Sequence, residues 1–165
     1  MEATILNWMG DSAVGQAVRD SVWLFPAMET VHFIGLCVLF SALIVMDLRI
    51  LGFAKEVSFK VLRPLSWVAA TAVTINLLSG LTMMSAFPMN YWPNTIFKVK
   101  VLFILLGAAN AIWFVIYEHK RIAALGPNVE VGLQGKIVAQ LSLIFWVGVL
   151  ITGRLLPYLS TSTNG

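Results

Sequence analysis

The amino-acid sequence predicts an all-α fold, an integral membrane four-helix bundle with an N-terminal interfacial amphipathic helix. Three observations carry that reading. Of 165 residues, 59% are hydrophobic and only 12% are charged, about half the charged share of a soluble domain. Apolar windows of bilayer length recur four times, over residues 25–46, 65–87, 96–117 and 137–156. Each is near the ~20 residues that a hydrocarbon core demands. The linkers between them are short and turn-rich, so residues 1–165 form a single membrane domain. Backbone groups in lipid must be satisfied within their own segment, which makes these windows helices and not strands.

Residues 1–20 have a pattern of their own. Ile5, Leu6, Met9, Ala13, Val14, Ala17 and Val18 recur at three- and four-residue spacing between polar residues, the period of a helix lying in the interface. Glu2, Asp11, Arg19 and Asp20 punctuate the segment, so it does not read as a cleavable signal peptide. Span one begins with Pro26 in its first turn, a position that suits a residue with no amide proton. It carries Glu29 and His32, then ends on "MDLRILG", where Asp47 and Arg49 read as a charged helix exit into the cytoplasm. Span two follows Arg63 and Pro64, with Thr71, Thr74, Ser79 and Gly80 as a small or polar contact face.

Span three starts with Lys98 and Lys100 and leaves the membrane on "EHKR", whose His119 is expected in solvent. Span four carries Arg154 near its end. Asn76 on span two and Asn110 on span three fall near the midplane, where side-chain amides commonly bond across helices. Cys37 is the single cysteine and lies in an apolar run, so no disulfide framework exists and the thiol reads as packing.

Charge sets the orientation. Arg49, Lys55, Lys60 and Arg63 lie between spans one and two, and Lys120, Arg121 and Lys136 between spans three and four. Seven of the eleven Lys and Arg residues therefore share one side. The positive-inside rule makes that side cytoplasmic and puts both termini in the periplasm of a bacterial inner membrane. Trp8, Trp23, Tyr91 and Trp92 then form an aromatic belt at the outer interface. A net charge of +3 gathered in loops argues against a nucleic-acid partner. The expected partners are the lipid bilayer and either other membrane subunits or further copies of the chain.

Ionisable groups at membrane depth mark functional sites by default. Glu29 lies about 6 Å and His32 about 10 Å below the outer start of span one, on one helix face. Lys100 enters from the same side on span three, and Arg154 reaches it on span four. Glu29, His32, Lys100 and Arg154 thus form a candidate cofactor-binding set from three helices. The competing reading is structural: Glu29 pairs with Lys100 or Arg154 to fix helix packing, while Lys98 and Arg154 snorkel to the headgroups.

The chemistry open to this set is limited. One haem cannot use both His32 and His119, because these lie near opposite faces of a core about 30 Å thick. A haem held by His32 with Met83 or Met84 remains possible. The same imidazole and thioethers suit Cu(I), with Met9, Met28 and Met89 also in the outer half. A di-iron centre needs a second Glu-x-x-His, which is absent. A quinone or an anionic ligand could take hydrogen bonds from Lys100, Arg154 and His32. No nucleophile triad, phosphate loop or nucleotide fingerprint occurs, so an autonomous enzyme is not expected.

The strings "SVWLFPAMETVHFIGLCVLFSALIVMDLRILG", "FKVKVLFILLGAANAIWF" and "WVGVLITGRLLPYL" carry a resemblance over roughly residues 21–158. Its pattern lands on Ser21, Trp23, Pro26, His32, Gly35, Asp47, Arg49 and Gly52, then on Phe97, Lys100, Asn110, Gly153 and Arg154. On these residues the chain resembles an uncharacterised bacterial family of small four-helix inner-membrane proteins. It is also distantly similar to CopD-type copper-resistance membrane domains. The resemblance implies the four-helix architecture and points to metal or redox handling. The resulting expectation is a non-enzymatic subunit or module binding copper or haem in an outer-leaflet pocket. The alternative is a purely structural subunit of a larger membrane complex.

Overall fold

The computed structural model describes residues 2–159, leaving aside the side chains of His119 and Ala123. The expected solvation of His119 therefore lies outside the described residues. Among the described residues eight α-helices follow one another. They are α1 (Glu2–Gly10), α2 (Ala13–Asp20), α3 (Leu24–Leu51), α4 (Phe59–Ala86), α5 (Pro88–Tyr91), α6 (Thr95–Trp113), α7 (His119–Ala123) and α8 (Leu133–Leu159). A π-helical turn, Phe114–Glu118, continues α6.

Four helices are long and apolar enough to cross a membrane: Leu24–Leu51, Phe59–Ala86, Thr95–Glu118 and Leu133–Leu159. The protein is a multi-pass membrane bundle. The 28 residues of α3 make a rod of about 42 Å, longer than a ~30 Å core. Each span thus runs beyond its apolar window, and local signals set the true ends. Ser58 caps α4 by accepting from the Lys60 amide, six residues before Pro64. Asn94 caps α6 by accepting from the Ile96 amide at 2.8 Å. Gly52, at φ 107°, closes α3. Its amide bonds back to the Arg49 carbonyl and that of Phe53 to Leu48, the paired closure that a left-handed glycine permits.

The first two spans form one helical hairpin and the last two another, joined where α3 packs on α8. α4 and α6 stay apart. One core cluster joins Leu39 and Ala42, Ala69 and Ala72, and Trp146 and Val149 at mid-bundle; a second surrounds Ile50, Phe59 and Leu62 at the inner end. Small residues let rings insert between α6 and α8. A Cβ on Gly148 would come within 2.8 Å of Phe103, and one on Gly107 within 3.3 Å of Trp146. The outward faces stay apolar and exposed, as in a lipid-solvated bundle. Cys37 lies on such a face, so it is not the packed core thiol its apolar surroundings suggest.

The N-terminal segment departs from a single interfacial helix. It breaks at Asp11–Ser12, where Ser12 caps α2 by accepting from the Gly15 amide at 3.1 Å. Both pieces dock on the outer end of the bundle. Gly15 sits so close to α4 that a Cβ there would meet the Ser85 carbonyl at 2.5 Å. Arg19 donates to the Ala86 carbonyl at 2.9 Å, filling an orphan acceptor at the end of α4 and opposing its dipole.

The inner end also departs from the sequence reading. Asp47 and Arg49 do not lead into solvent: they are only 6% and 2% exposed. Arg49 Nε donates to the Val57 carbonyl at 2.7 Å, Nη2 reaches Val129 at 3.5 Å, and the guanidinium lies 4.3 Å from the Phe59 ring centre. The physical reason is that both inner loops fold back over α3. The Asn128 amide donates to the Lys55 carbonyl at 2.8 Å, and Lys55 pairs with Glu130. Glu118 is buried as well, 3.9 Å from Arg121.

Candidate functional site

A cavity of about 460 Å³ occupies the outer half of the bundle, where α4 and α6 diverge. Its walls are almost wholly apolar, and the polar groups lining it are few: His32, Asn76, Tyr91 and Lys100 among them. Pockets of this size and composition hold small organic ligands, with sparse polar groups fixing orientation.

His32 comes from α3, and Gly80 of α4 makes room for it. A Cβ at Gly80 would lie 3.3 Å from the imidazole Cε1. Its Nδ1 is 2.9 Å from Ser79 Oγ. The Ser79 hydroxyl proton is already committed to the Ile75 carbonyl one turn back, at 2.8 Å. With the hydroxyl so turned, Ser79 Oγ accepts from His32 in the Nδ1–H tautomer, the form in which the Nε2 lone pair is available, and the ring also lies within hydrogen-bonding reach of the Asn76 backbone. This is the hydrogen-bonding support that orients a ligating or proton-accepting imidazole.

Lys100 comes from α6 and lies within electrostatic reach of His32. Its side chain runs beside Gly153 of α8, where the missing Cβ leaves room for it. Among the described residues Lys100 makes no ion pair and no side-chain hydrogen bond. An ammonium presents three donors and no acceptor, so this one offers its hydrogens to whatever fills the cavity.

The four residues of the expected set part company here. His32 and Lys100 line the cavity, together with Met83, Met84 and Met9. Glu29 is exposed one turn above His32 and does not line it. Arg154 points away, its guanidinium 5.3 Å from the ring centre of Tyr158. Glu29 forms no ion pair with Lys100 or Arg154. Lys98 is exposed beside the Trp92 ring, as a snorkelling lysine would be.

The outer end of the cavity is roofed. Met9 of α1, Tyr91 of α5 and the adjoining Trp92 line it from above. Trp92 Nε1 donates to the Glu2 carboxylate, tying α1 to the helix 4–6 connection. Burial, and then the negative charge of Glu29, push the Tyr91 phenol above its ordinary value, so it remains a protonated donor at neutral pH.

The midplane amides behave differently from one another. Asn110 donates to the Val138 carbonyl of α8 at 3.0 Å, an interhelical bond of the expected kind. Asn76 makes none: both atoms of its amide are buried against Gly35 without a partner. Sequence reasoning placed Ser79 and Gly153 in packing and motif roles, missing that one supports His32 and the other houses Lys100. Counting depth along antiparallel helices puts Ser79 and Gly80 level with His32, which was the available signal.

Among the described residues, no three His, Cys, Asp or Glu side chains gather where they could hold one metal ion. Compared with protein-family models, curated proteins and solved structures, the chain matches none.

Proposed function

We propose that this chain is a non-enzymatic module of a bacterial inner membrane that holds a redox cofactor in the outer-leaflet cavity, with His32 as attachment point. The observation that carries the reading is the pairing of His32 with Ser79, which leaves Nε2 open beside an unpaired Lys100. The loop charges support periplasmic termini, which put the cavity in the periplasmic leaflet. The module works with other membrane subunits or as a homo-oligomer.

The residues fit the metal cofactors unequally. A copper ion would rest on His32 with the thioethers of Met83 and Met84, a soft donor set suited to Cu(I). A haem would be held by His32 with Met83 or Met84, with Lys100 placed to balance a carboxylate. Either group supplies one-electron transfer; the chain supplies orientation, charge and exclusion of water. The cavity's size and apolar walls favour an organic or macrocyclic cofactor over a bare ion.

A second reading, a structural subunit of a larger complex, draws on Asn110 and Arg49, whose polar groups serve packing alone. Purification in mild detergent, followed by an optical spectrum, copper analysis and solvent extraction, separates the two. The expected result is one cofactor per chain, lost in His32→Ala while the helical content is kept. A cofactor-free protein of unchanged stability in His32→Ala would favour the structural subunit.

A further inference from the structure

We propose that the cavity is loaded sideways from the bilayer and that its occupant is a lipid-soluble quinone or its quinol. This rests on the redox-cofactor reading and names the class of cofactor.

The route follows from what covers the cavity and what does not. On the aqueous side Met9 of α1 and the Tyr91–Trp92 corner cover it, and the Glu2–Trp92 hydrogen bond fastens α1 to that corner. On the lipid side α4 and α6 make little or no direct contact. Leu81 and Leu105 line the cavity and yet are 58% and 62% exposed on the bundle's surface. Residues that belong to both surfaces mark a mouth. Leu81 lies five residues from the outer end of α4 and Leu105 ten from that of α6, so the mouth opens about 8–15 Å along the spans from those helix ends. A ligand taking that path must dissolve in lipid.

The polar groups choose the head. Lys100 can only donate, and His32 Nε2 can only accept. The quinol satisfies both, one hydroxyl oxygen accepting from Lys100 and the other hydroxyl donating to His32, while the oxidised quinone accepts from Lys100 alone. A fatty-acid carboxylate would satisfy Lys100 but offers no hydrogen to His32. Tyr91, Trp92, Phe97 and Trp146 line the same space, which suits a planar ring and is of no use to an acyl chain. The isoprenoid tail leaves between Leu81 and Leu105 into the surrounding lipid.

The test uses the full chain in nanodiscs, titrated with decylubiquinone while tryptophan fluorescence is followed. Saturable quenching above the linear partition background is expected. Lys100→Met removes a charged hydrogen-bond donor but suits a membrane helix, and should raise the half-saturation point about tenfold or more. Leu105→Trp narrows the mouth and should slow the onset of quenching, whereas Glu2→Ala, which unfastens the roof from Trp92, should not speed it. Circular dichroism checks that each variant is folded. Purely linear quenching, or displacement of the quinone by equimolar oleate, overturns the quinone assignment. Faster onset in Glu2→Ala with no effect of Leu105→Trp overturns the lateral route. A preparation that carries haem or copper but binds no quinone overturns this inference and leaves the redox-cofactor reading standing.

Discussion

The Lys100 side chain runs beside the bare backbone of Gly153, where an added Cβ would lie 3.5 Å from the ammonium nitrogen and 3.6 Å from Cε. Those are ordinary contact distances, so the glycine shapes the lysine's position without being strained itself. A single methyl fits and a branched side chain does not. Gly153→Ala is expected to bind cofactor like the parent protein. Gly153→Leu should displace the ammonium and weaken binding about tenfold, the loss of one charge-assisted hydrogen bond. Cofactor retained per chain after dialysis measures both.

Ser79 controls which imidazole nitrogen is free. Ser79→Ala removes the acceptor for His32 Nδ1–H, so the ring can rotate and change tautomer. Supporting residues of this kind are worth about 10–100-fold in affinity at metal sites, and a loss of that order is expected for any cofactor bound through Nε2. Ser79→Thr keeps the hydroxyl and should restore binding, an outcome readable in the same dialysis assay.

Arg49 joins α3 to both inner loops through atoms that lysine lacks. Arg49→Lys keeps the charge but loses the Nε bond to the Val57 carbonyl and the planar stack on Phe59. A buried cation with fewer partners is costly. The expected destabilisation is about 2–4 kcal/mol, measured by thermal unfolding in mild detergent, with cofactor affinity little changed because the residue is at the opposite end.

Glu130 offers a pH test of the inner loops. Hydrogen bonds from Lys55 and Lys136, the latter at 3.4 Å, hold its carboxylate below the ordinary value of 4.5. A carboxylate lowered on folding contributes stability above its unfolded value and loses it as pH falls through the folded one. The wild type should therefore lose more stability than Glu130→Gln as the pH drops below 4.5. The difference should shrink in high salt, since the pair is exposed. Melting temperature against pH for the two proteins decides it.

Much of this molecule was legible because lipid imposes simple rules. Uninterrupted apolar windows located all four spans, and counting depth brought His32 and Lys100 to one level. What depth could not give was azimuth. Glu29 and Arg154 share that level but do not line the cavity, and only the packing of the helices fixes which side of each looks inward. Asp47 and Arg49 were misread for a related reason. Charges at the end of an apolar run usually mark exit to water, and nothing local announces that two loops, paired by Lys55 and Glu130 across 75 residues, will close over them. The break at Ser12 was visible as a cap, but the apolar period runs through it and masks it.

The roof of the cavity has a consequence for how the protein is made. Its first helix contains Glu2 and Met9, residues that leave the ribosome before any others described here. The residues on which α1 and α2 dock, Ser85, Ala86, Pro88 and Trp92, are synthesised only after two spans have been built. Until then the leading segment has nothing to fasten to, and the chamber beneath it cannot be shut. Closure is thus a late event in biogenesis, and a cofactor present in the nascent membrane meets an open vessel before it meets a sealed one.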